Sequence, residues 1–322
     1  MKKLILITAV LALLCMVGGS AFAGWTAVNL NPAGSQTSSG IGASGGQQVG
    51  IAMPGLTDHA SLWTGTAGSW VDLNPTGSAY SYANAIWGGQ QAGSACIGTD
   101  SHAGLWSGTA GTWVDLHPAA AGATTSYATG ISGGQQVGNA TIGGVNRASL
   151  WTGTAAGWVN LNPATATLSY ANAVDAGQQA GYARFSGVDH AGLWSGTAAT
   201  WVDLHPAGAT RSFVASVSGG QQAGTAKIGG VNHASLWSGT AGSWVDLHDL
   251  LPAGAYSASF AKGVAVSAGE IWVTGSAFNN STSAYEAMLW HYVPVPEPSS
   301  LLVLLSGIGG LGSLLAFRRR RA

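Results

Sequence analysis

Short apolar runs alternate with glycine-rich breaks along most of this chain. In one stretch the runs are Tyr82–Trp87, Gln90–Ile97, Ala103–Ser107 and Thr112–Leu116. They are divided by Gly88-Gly89, Gly98-Thr99-Asp100, Gly108-Thr109-Ala110-Gly111 and His117-Pro118. Runs of this length bounded by turn residues read as strands, and glycine supplies the positive φ that tight hairpin turns need. Within the second run Gly93 and Ala95 alternate with Ala92, Ser94 and Cys96. Side chains point to opposite faces with a period of two, so residues this small let neighbouring sheets approach closely.

The same four-run pattern recurs. His102–Pro118 reads HAGLWSGTAGTWVDLHP, with near-copies beginning at His59, Arg147, His190 and His233. The leading tryptophans Trp63, Trp106, Trp151, Trp194 and Trp237 are spaced by 43, 45, 43 and 43 residues. Trp70, Trp113, Trp158, Trp201 and Trp244 trail them at the same spacing, and each unit carries a Gly-Gln-Gln. Some matches hold best at an offset of 88 residues, as in Leu150–Thr154 against Leu62–Thr66, which points to duplication of a two-unit block. A sixth unit has Gly269-Glu270-Ile271 at the Gly-Gln-Gln position and stops after Trp290-His291-Tyr292, without its second half. The missing half stands at the other end of the chain, in Trp25–Pro32. Units of about 43 residues with four strands have the size of propeller blades. The expectation is an all-β fold: a six-bladed β-propeller over residues 24–293, closed by the N-terminal strand, with Trp25–Pro32 pairing beside Met288–Tyr292.

Composition sharpens this picture. Only 7% of residues are charged, 50 of 322 are glycine and 14 are tryptophan. Twelve of those tryptophans belong to the repeat, which identifies them as packing residues before anything else. Between Gly24 and Val295 there are five basic and eleven acidic residues, so no basic patch exists for nucleic acid. Cys15 lies in a leader-like segment, leaving Cys96 without a partner for a disulfide. Met53, Thr141, Arg184 and Lys227 take its place in other units, which implies a peripheral strand position.

The ends of the chain read differently. Residues 1–23 have the form of a secretory signal helix: Lys2-Lys3, an apolar stretch from Leu4 to Val17, and a cleavage site at Ala21-Phe22-Ala23. At the other end a stiff Val293–Ser300 spacer precedes an uncharged run, Leu301–Phe317, long enough for a short transmembrane helix, and then Arg318, Arg319, Arg320 and Arg321. An arginine cluster stays on the cytoplasmic side, leaving the body exported. Pro296-Glu297-Pro298, the span and the terminal arginines together resemble the PEP-CTERM sorting signal of Gram-negative bacteria. The resemblance covers residues 294–322. It implies recognition by exosortase, a membrane-embedded cysteine protease or transpeptidase. It also implies a precursor inserted in the inner membrane by the export machinery, a mature protein at the cell surface or outside the cell, and a link to exopolysaccharide and biofilm. The body separately resembles HAF-type extracellular repeats through His102-Ala103-Gly104-Leu105-Trp106, with Gly or Ser where that family has Phe.

Candidate chemistry is sparse. Asp72, Asp115, Asp203 and Asp246 recur at one repeat position, with Asn29 and Asn160 completing six. Asn31, Asn74, His117, Asn162, His205 and His248 recur two residues later. His59, His102, His190 and His233 form a third series, replaced by Arg147 and Glu286 in the other two units. In a ring these would form circles on one face, where a metal or a glycan could bind. Capping of strand ends beside proline is the simpler reading. A glycoside hydrolase needs two facing carboxylates, and Asp58, Asp100, Asp175, Asp189 and Glu270 are available, but nothing pairs them. No nucleophile elbow, zinc-binding helix, phosphate loop or calcium loop is present. No catalytic residue, metal or cofactor is therefore expected. The expectation is a non-enzymatic scaffold or interaction protein. A glycan-binding, lectin-like propeller is the alternative, and a propeller hydrolase or lyase a further one.

Overall fold

The computed structural model describes residues 27–294. The signal segment with Ala21 and Ala23, and the tail with Pro296, Glu297, Pro298 and Arg318–Arg321, lie outside the described residues, as does Trp25.

Six antiparallel sheets follow one another in chain order. The first is β1 (Ser38–Ser44), β2 (Gln47–Ala52), β3 (His59–Trp63) and β4 (Val71–Asp72); the second is β5 (Ser81–Trp87), β6 (Gln90–Ile97), β7 (Asp100–Trp106) and β8 (Val114–Asp115). The third is β9 (Ala123–Ser132), β10 (Gln135–Ile142), β11 (Val145–Trp151) and β12 (Val159–Asn160); the fourth is β13 (Leu168–Asp175), β14 (Gln178–Phe185), β15 (Val188–Trp194) and β16 (Val202–Asp203). The fifth is β17 (Ala209–Ser218), β18 (Gln221–Ile228), β19 (Val231–Trp237) and β20 (Val245–Asp246). The sixth has three strands: β21 (Tyr256–Ser267), β22 (Glu270–Asn279) and β23 (Ala284–Tyr292).

The expected strands of the second unit appear with two changes: the third begins earlier, at Asp100, a residue expected in the turn. The fourth shrinks to Val114–Asp115, because Ala110–Thr112 forms a 3-10 turn before it. Pro118, which has no N–H to offer a ladder, follows shortly after.

Expected closure by the N-terminal strand is not what the structure shows. Ala27–Pro32 forms no strand, and among the described residues β23 has no fourth strand beside it. Hydrophobic clusters join each sheet to the next, five in all, and among the described residues none joins the sixth to the first. The half-repeat carries the pattern of an outer strand, but the outer strands that form, such as β4, lie on a third strand that directly precedes them in the chain, and among the described residues Ala27–Pro32 has none.

Each cluster is built the same way. Val49, Ala60, Leu62 and Leu73 of the first sheet meet Ala83, Ile86 and Trp106 of the second. The leading tryptophans Trp63, Trp106, Trp151, Trp194 and Trp237 are at most 1% exposed, so they are core and offer no stacking platform. The trailing tryptophans are half-buried and meet two kinds of strand. Where β3 and β11 carry Ser61 and Ser149, the indoles of Trp70 and Trp158 donate to the hydroxyl at 2.9 and 3.0 Å. Where β7 and β15 carry Gly104 and Gly192, the rings of Trp113 and Trp201 lie over bare backbone, where a Cβ would stand 1.8 and 2.1 Å from the ring. This alternation gives the 88-residue offset a physical content.

A buried serine on each inner strand from β5 onward joins its sheet to the one before. Ser81 Oγ accepts from Ala60 N–H of the preceding sheet at 2.9 Å and donates to Asn74 Oδ1 at 2.7 Å. Ser126, Ser169, Ser212 and Ser259 accept equivalently from Ala103, Ala148, Ala191 and Ala234. The second glutamine of each Gly-Gln-Gln pins a turn of its own sheet, and Gln179 and Gln222 also donate to Gln135 and Gln178 of the sheet before. Gln91 Oε1 accepts from Gly108 N–H and its amide donates to Gly89 O, pinning the turn after β7. In the sixth sheet the hairpin is longer. Val273, not Glu270 or Ile271, faces Trp290 where Gln222 faces Trp237.

Cys96 is buried, contrary to the peripheral expectation, with its thiol directed at Gly98 O. The glycines of β2, β6, β10, β14, β18 and β22 serve their own sheets and not, as expected, the approach of neighbours. Each lies beside a bulge on the inner strand, where a Cβ would stand 1.8–2.0 Å from a backbone carbonyl oxygen. Gly138→Ala is accordingly expected to lower unfolding free energy by on the order of 1–3 kcal/mol through forced backbone displacement. Gly111→Ala, whose added methyl meets open space, is expected to stay within about 0.5 kcal/mol. Urea unfolding of the two variants compares them, and equal midpoints would refute the packing argument.

Candidate functional site

The three recurring polar series converge within each sheet. His59 and Ser61 share one face of β3, and Asp72 stands opposite Ser61, so the histidine and aspartate are diagonal neighbours. His59 Nδ1 meets Asp72 Oδ2 at 2.8 Å; His102–Asp115, His190–Asp203 and His233–Asp246 repeat the contact at 2.7, 2.7 and 2.6 Å. The other carboxylate oxygen caps the chain two residues on, accepting from the N–H of Asn74, His117, His205 and His248. Asn160 and Asn29 cap Asn162 and Asn31 in the same way. Capping, the simpler sequence reading, is the arrangement found.

The 13-residue pairing of histidine with aspartate is the feature sequence reasoning missed. Its signal was there: in the third unit Arg147 and Asn160 replace both partners together. In the sixth, Glu286 accepts from Asn279, Thr282 and Tyr256. The amide of Asn279 is the largest influence holding its carboxyl below the usual range.

Where the second series is histidine, a stack forms. His117 lies 3.9 Å from His102 with planes 9° apart, His205 lies 4.0 Å from His190 at 13°, and His248 lies 4.4 Å from His233 at 33°. His117 Nε2 faces Ala123 O at 3.1 Å and Nδ1 faces Ser126 Oγ at 2.9 Å. A carbonyl only accepts, so Nε2 carries the proton and Nδ1 accepts from the serine hydroxyl. That hydroxyl in turn accepts from Ala103 N–H. His205 repeats this with Ala209 and Ser212. Burial, followed by the adjacent histidine, holds His117, His205 and His248 below the ordinary imidazole value.

Chemically, these groups are committed to structure. Ligand atoms of His233, Asp246 and Asp249 lie within 4.8 Å of one another, but the His–Asp pair is the one that recurs in three other sheets without a third member. The carboxylates considered for hydrolysis are dispersed over local partners. Asp58 accepts from Tyr82, Asp175 from Gly219 N–H and Asp189 from Arg184, while Glu270 pairs with His291; Asp100 is exposed at its hairpin. Tyr182, stacked 5.0 Å from Tyr170, is pushed up to about 12 by burial. A groove of about 510 Å³ opens between the fifth and sixth sheets, lined in part by Trp237, Val245, Leu250, Leu289 and Tyr292.

Residues 294–321 match the PEP-CTERM protein-sorting motif, a signal that implies export and sorting by exosortase. No curated protein matches the chain. Among solved structures, a mutant of puromycin hydrolase is similar over 85% of this chain and 49% of its own, at 12% identity and a TM-score of 0.52. This chain therefore spans about half that protein's length. The unsubstituted puromycin hydrolase gives a TM-score of 0.50 over the same shares, again at 12% identity. A TolB from Agrobacterium tumefaciens is similar over 78% of this chain and 87% of its own, at 11% identity and a TM-score of 0.49. At these identities the likeness concerns fold alone: repeated antiparallel sheets of propeller type.

The histidine stacks give the protein an acid limit. Because the folded-state values of His117, His205 and His248 lie below the unfolded value of about 6.5, the unfolded chain binds more protons as pH falls through that window. Their contribution is complete above it and lost below it. Melting temperature is expected to fall between pH 7.5 and pH 5. Replacing all three by Asn, the residue native at the equivalent Asn74 and Asn162, is expected to flatten that fall. An unchanged acid limb in the triple variant would show that other groups set it.

Proposed function

We propose that the chain is a non-enzymatic scaffold or interaction protein, exported and sorted to the cell surface or extracellular matrix by exosortase. In this reading residues 1–23 direct export and residues 301–317 hold a precursor in the inner membrane, with Arg318–Arg321 as the stop. Processing near Pro296–Pro298 then frees the body from its span. The observation that carries the proposal is the sorting-motif match over residues 294–321. The body supports a structural role. Its repeated aspartates cap strands, its repeated histidines close those caps or support the serine relay, and its leading tryptophans fill the core. Residues in those duties are poorly placed to form a reaction centre. A partnership with exopolysaccharide, and kinship of the body with HAF-type repeats, belong to the same proposal.

Mass spectrometry of the mature C-terminus from the exporting cell tests it. The expected product ends near Pro296–Pro298, and Glu297→Ala is expected to block its formation. Recovery of mature peptides through Phe317 would make the protein an ordinary membrane-anchored one. Hydrolysis of extracellular polysaccharide by the purified mature protein would overturn the non-enzymatic reading.

A further inference from the structure

The two ends of the sheet stack are the two unmatched halves of one further interface. At every internal junction the third strand of a sheet carries an alanine and a leucine two residues apart. Ala60, Ala103, Ala148, Ala191 and Ala234 are 0% exposed, and Leu62, Leu105, Leu150, Leu193 and Leu236 between 3% and 9%. The alanine N–H donates to the next sheet's serine, as at Ala60 and Ser81. The alanine carbonyl accepts from the leucine that follows the outer strand, as Ala60 O accepts from Leu73 N–H at 2.8 Å. The leucine pairs in register with a valine of that outer strand, as Leu62 with Val71.

On β23 the corresponding residues are Ala287 and Leu289, as the alignment of Trp290 with Trp237 requires. Ala287 is exposed, and Leu289 is 62% exposed. β23 is nine residues long and has no strand on its outer side. An uncovered apolar edge of that length is a template for strand addition.

At the other end, Ala27–Pro32 is the matching outer half without a strand to lie on. Val28 stands where Val71 stands and is 56% exposed. The segment already has the capped form of its counterparts. Asn31 N–H donates to Asn29 Oδ1 at 2.9 Å and Asn31 Nδ2 to Ser35 O at 3.2 Å, as Asn74 does with Asp72 and Ser78. Its relay is unfinished. Asn74 and Asn162 accept from Ser81 and Ser169, whereas Asn31 Oδ1 is buried without a partner, and its serine, Ser38, is only partly buried. What that relay lacks is the alanine N–H of a preceding sheet.

We propose that this face is filled by a second copy of the chain: β23 of one molecule receives Ala27–Pro32 of the next, head to tail. The reading stands apart from the sorting of the tail. A second copy is favoured because the structure holds both halves ready at the two ends of the stack without joining them. Every internal junction is also of the same head-to-tail kind. A heterologous contact of this type propagates into closed rings or filaments of molecules.

Crosslinking tests it on the full chain expressed and matured in its exporting host, in a Cys96→Ser background. Leu62 and Val71 lie directly opposite at the equivalent junction, within the span a disulfide bridges. Val28→Cys and Leu289→Cys are made in separate chains, and the two proteins are mixed and oxidised. The expected result is a reducible band at twice the monomer mass that appears only in the mixture. The unsubstituted protein is expected to gain mass with concentration in light scattering, and Leu289→Glu to remain monomeric with an unchanged melting temperature. A chain carrying both cysteines that forms only an internal disulfide while staying monomeric would show that the chain closes on itself, and would overturn the proposal. Absence of any crosslink, with a constant monomer mass, would overturn it equally.

Discussion

A buried serine hydroxyl is the tie that recurs between every pair of consecutive sheets. Ser81, Ser126, Ser169, Ser212 and Ser259 are wholly buried, and each accepts from a backbone N–H of the sheet before it. A buried hydroxyl without partners costs about 1–3 kcal/mol, so the contact tolerates little sliding. It fixes the distance between sheets, which in turn demands alanine on the facing strand and leaves room for one leucine and one tryptophan per layer. Stability then accumulates junction by junction, as in other repeat proteins.

Much of this was legible in the chain. Turn glycines and tryptophan spacing locate nearly every strand, and the halved sixth unit marks Ala27–Pro32 as an outer-strand segment. What the pattern did not carry was closure: among the described residues no fourth strand lies beside β23. The outer strands came out shorter than their apolar runs because the preceding turn consumes Ala110–Thr112 and a proline follows. The His–Asp pairs were hidden by separation along the chain: 13 residues apart, they meet only because β7 and β8 are neighbours. Cys96 misled because its counterparts include long polar side chains that can reach outward from a half-covered position, as Lys227 and Arg184 do, while a short thiol cannot.

The polar residues of the body sort into two duties. Aspartates and asparagines finish strands, while His117, His205 and His248 join that capping layer to the serine relay. The same imidazoles that complete the relay are its acid-sensitive members, and the units with Asn74 and Asn162 achieve the connection without a titrating group. Export would place this body beyond the buffering of the cell interior. Three of the six positions in that layer, His117, His205 and His248, carry a titrating group, and Asn31, Asn74 and Asn162 do not.

The alternation of Ser61, Gly104, Ser149, Gly192 and Ser235 beneath the trailing tryptophans bears on how so repetitive a chain seats its outer strands. A ring shaped for the bare backbone at Gly104 cannot lie in the same pose on Ser61, since even a Cβ would meet it at 1.8 Å. The tryptophan is the same in every unit, so the strand beneath it sets the pose: an indole N–H given to a hydroxyl at Ser61 and Ser149, a ring laid on bare backbone at Gly104 and Gly192. The duplicated two-unit block therefore seats its outer strands in two alternating ways, and it is the inner partner that decides which.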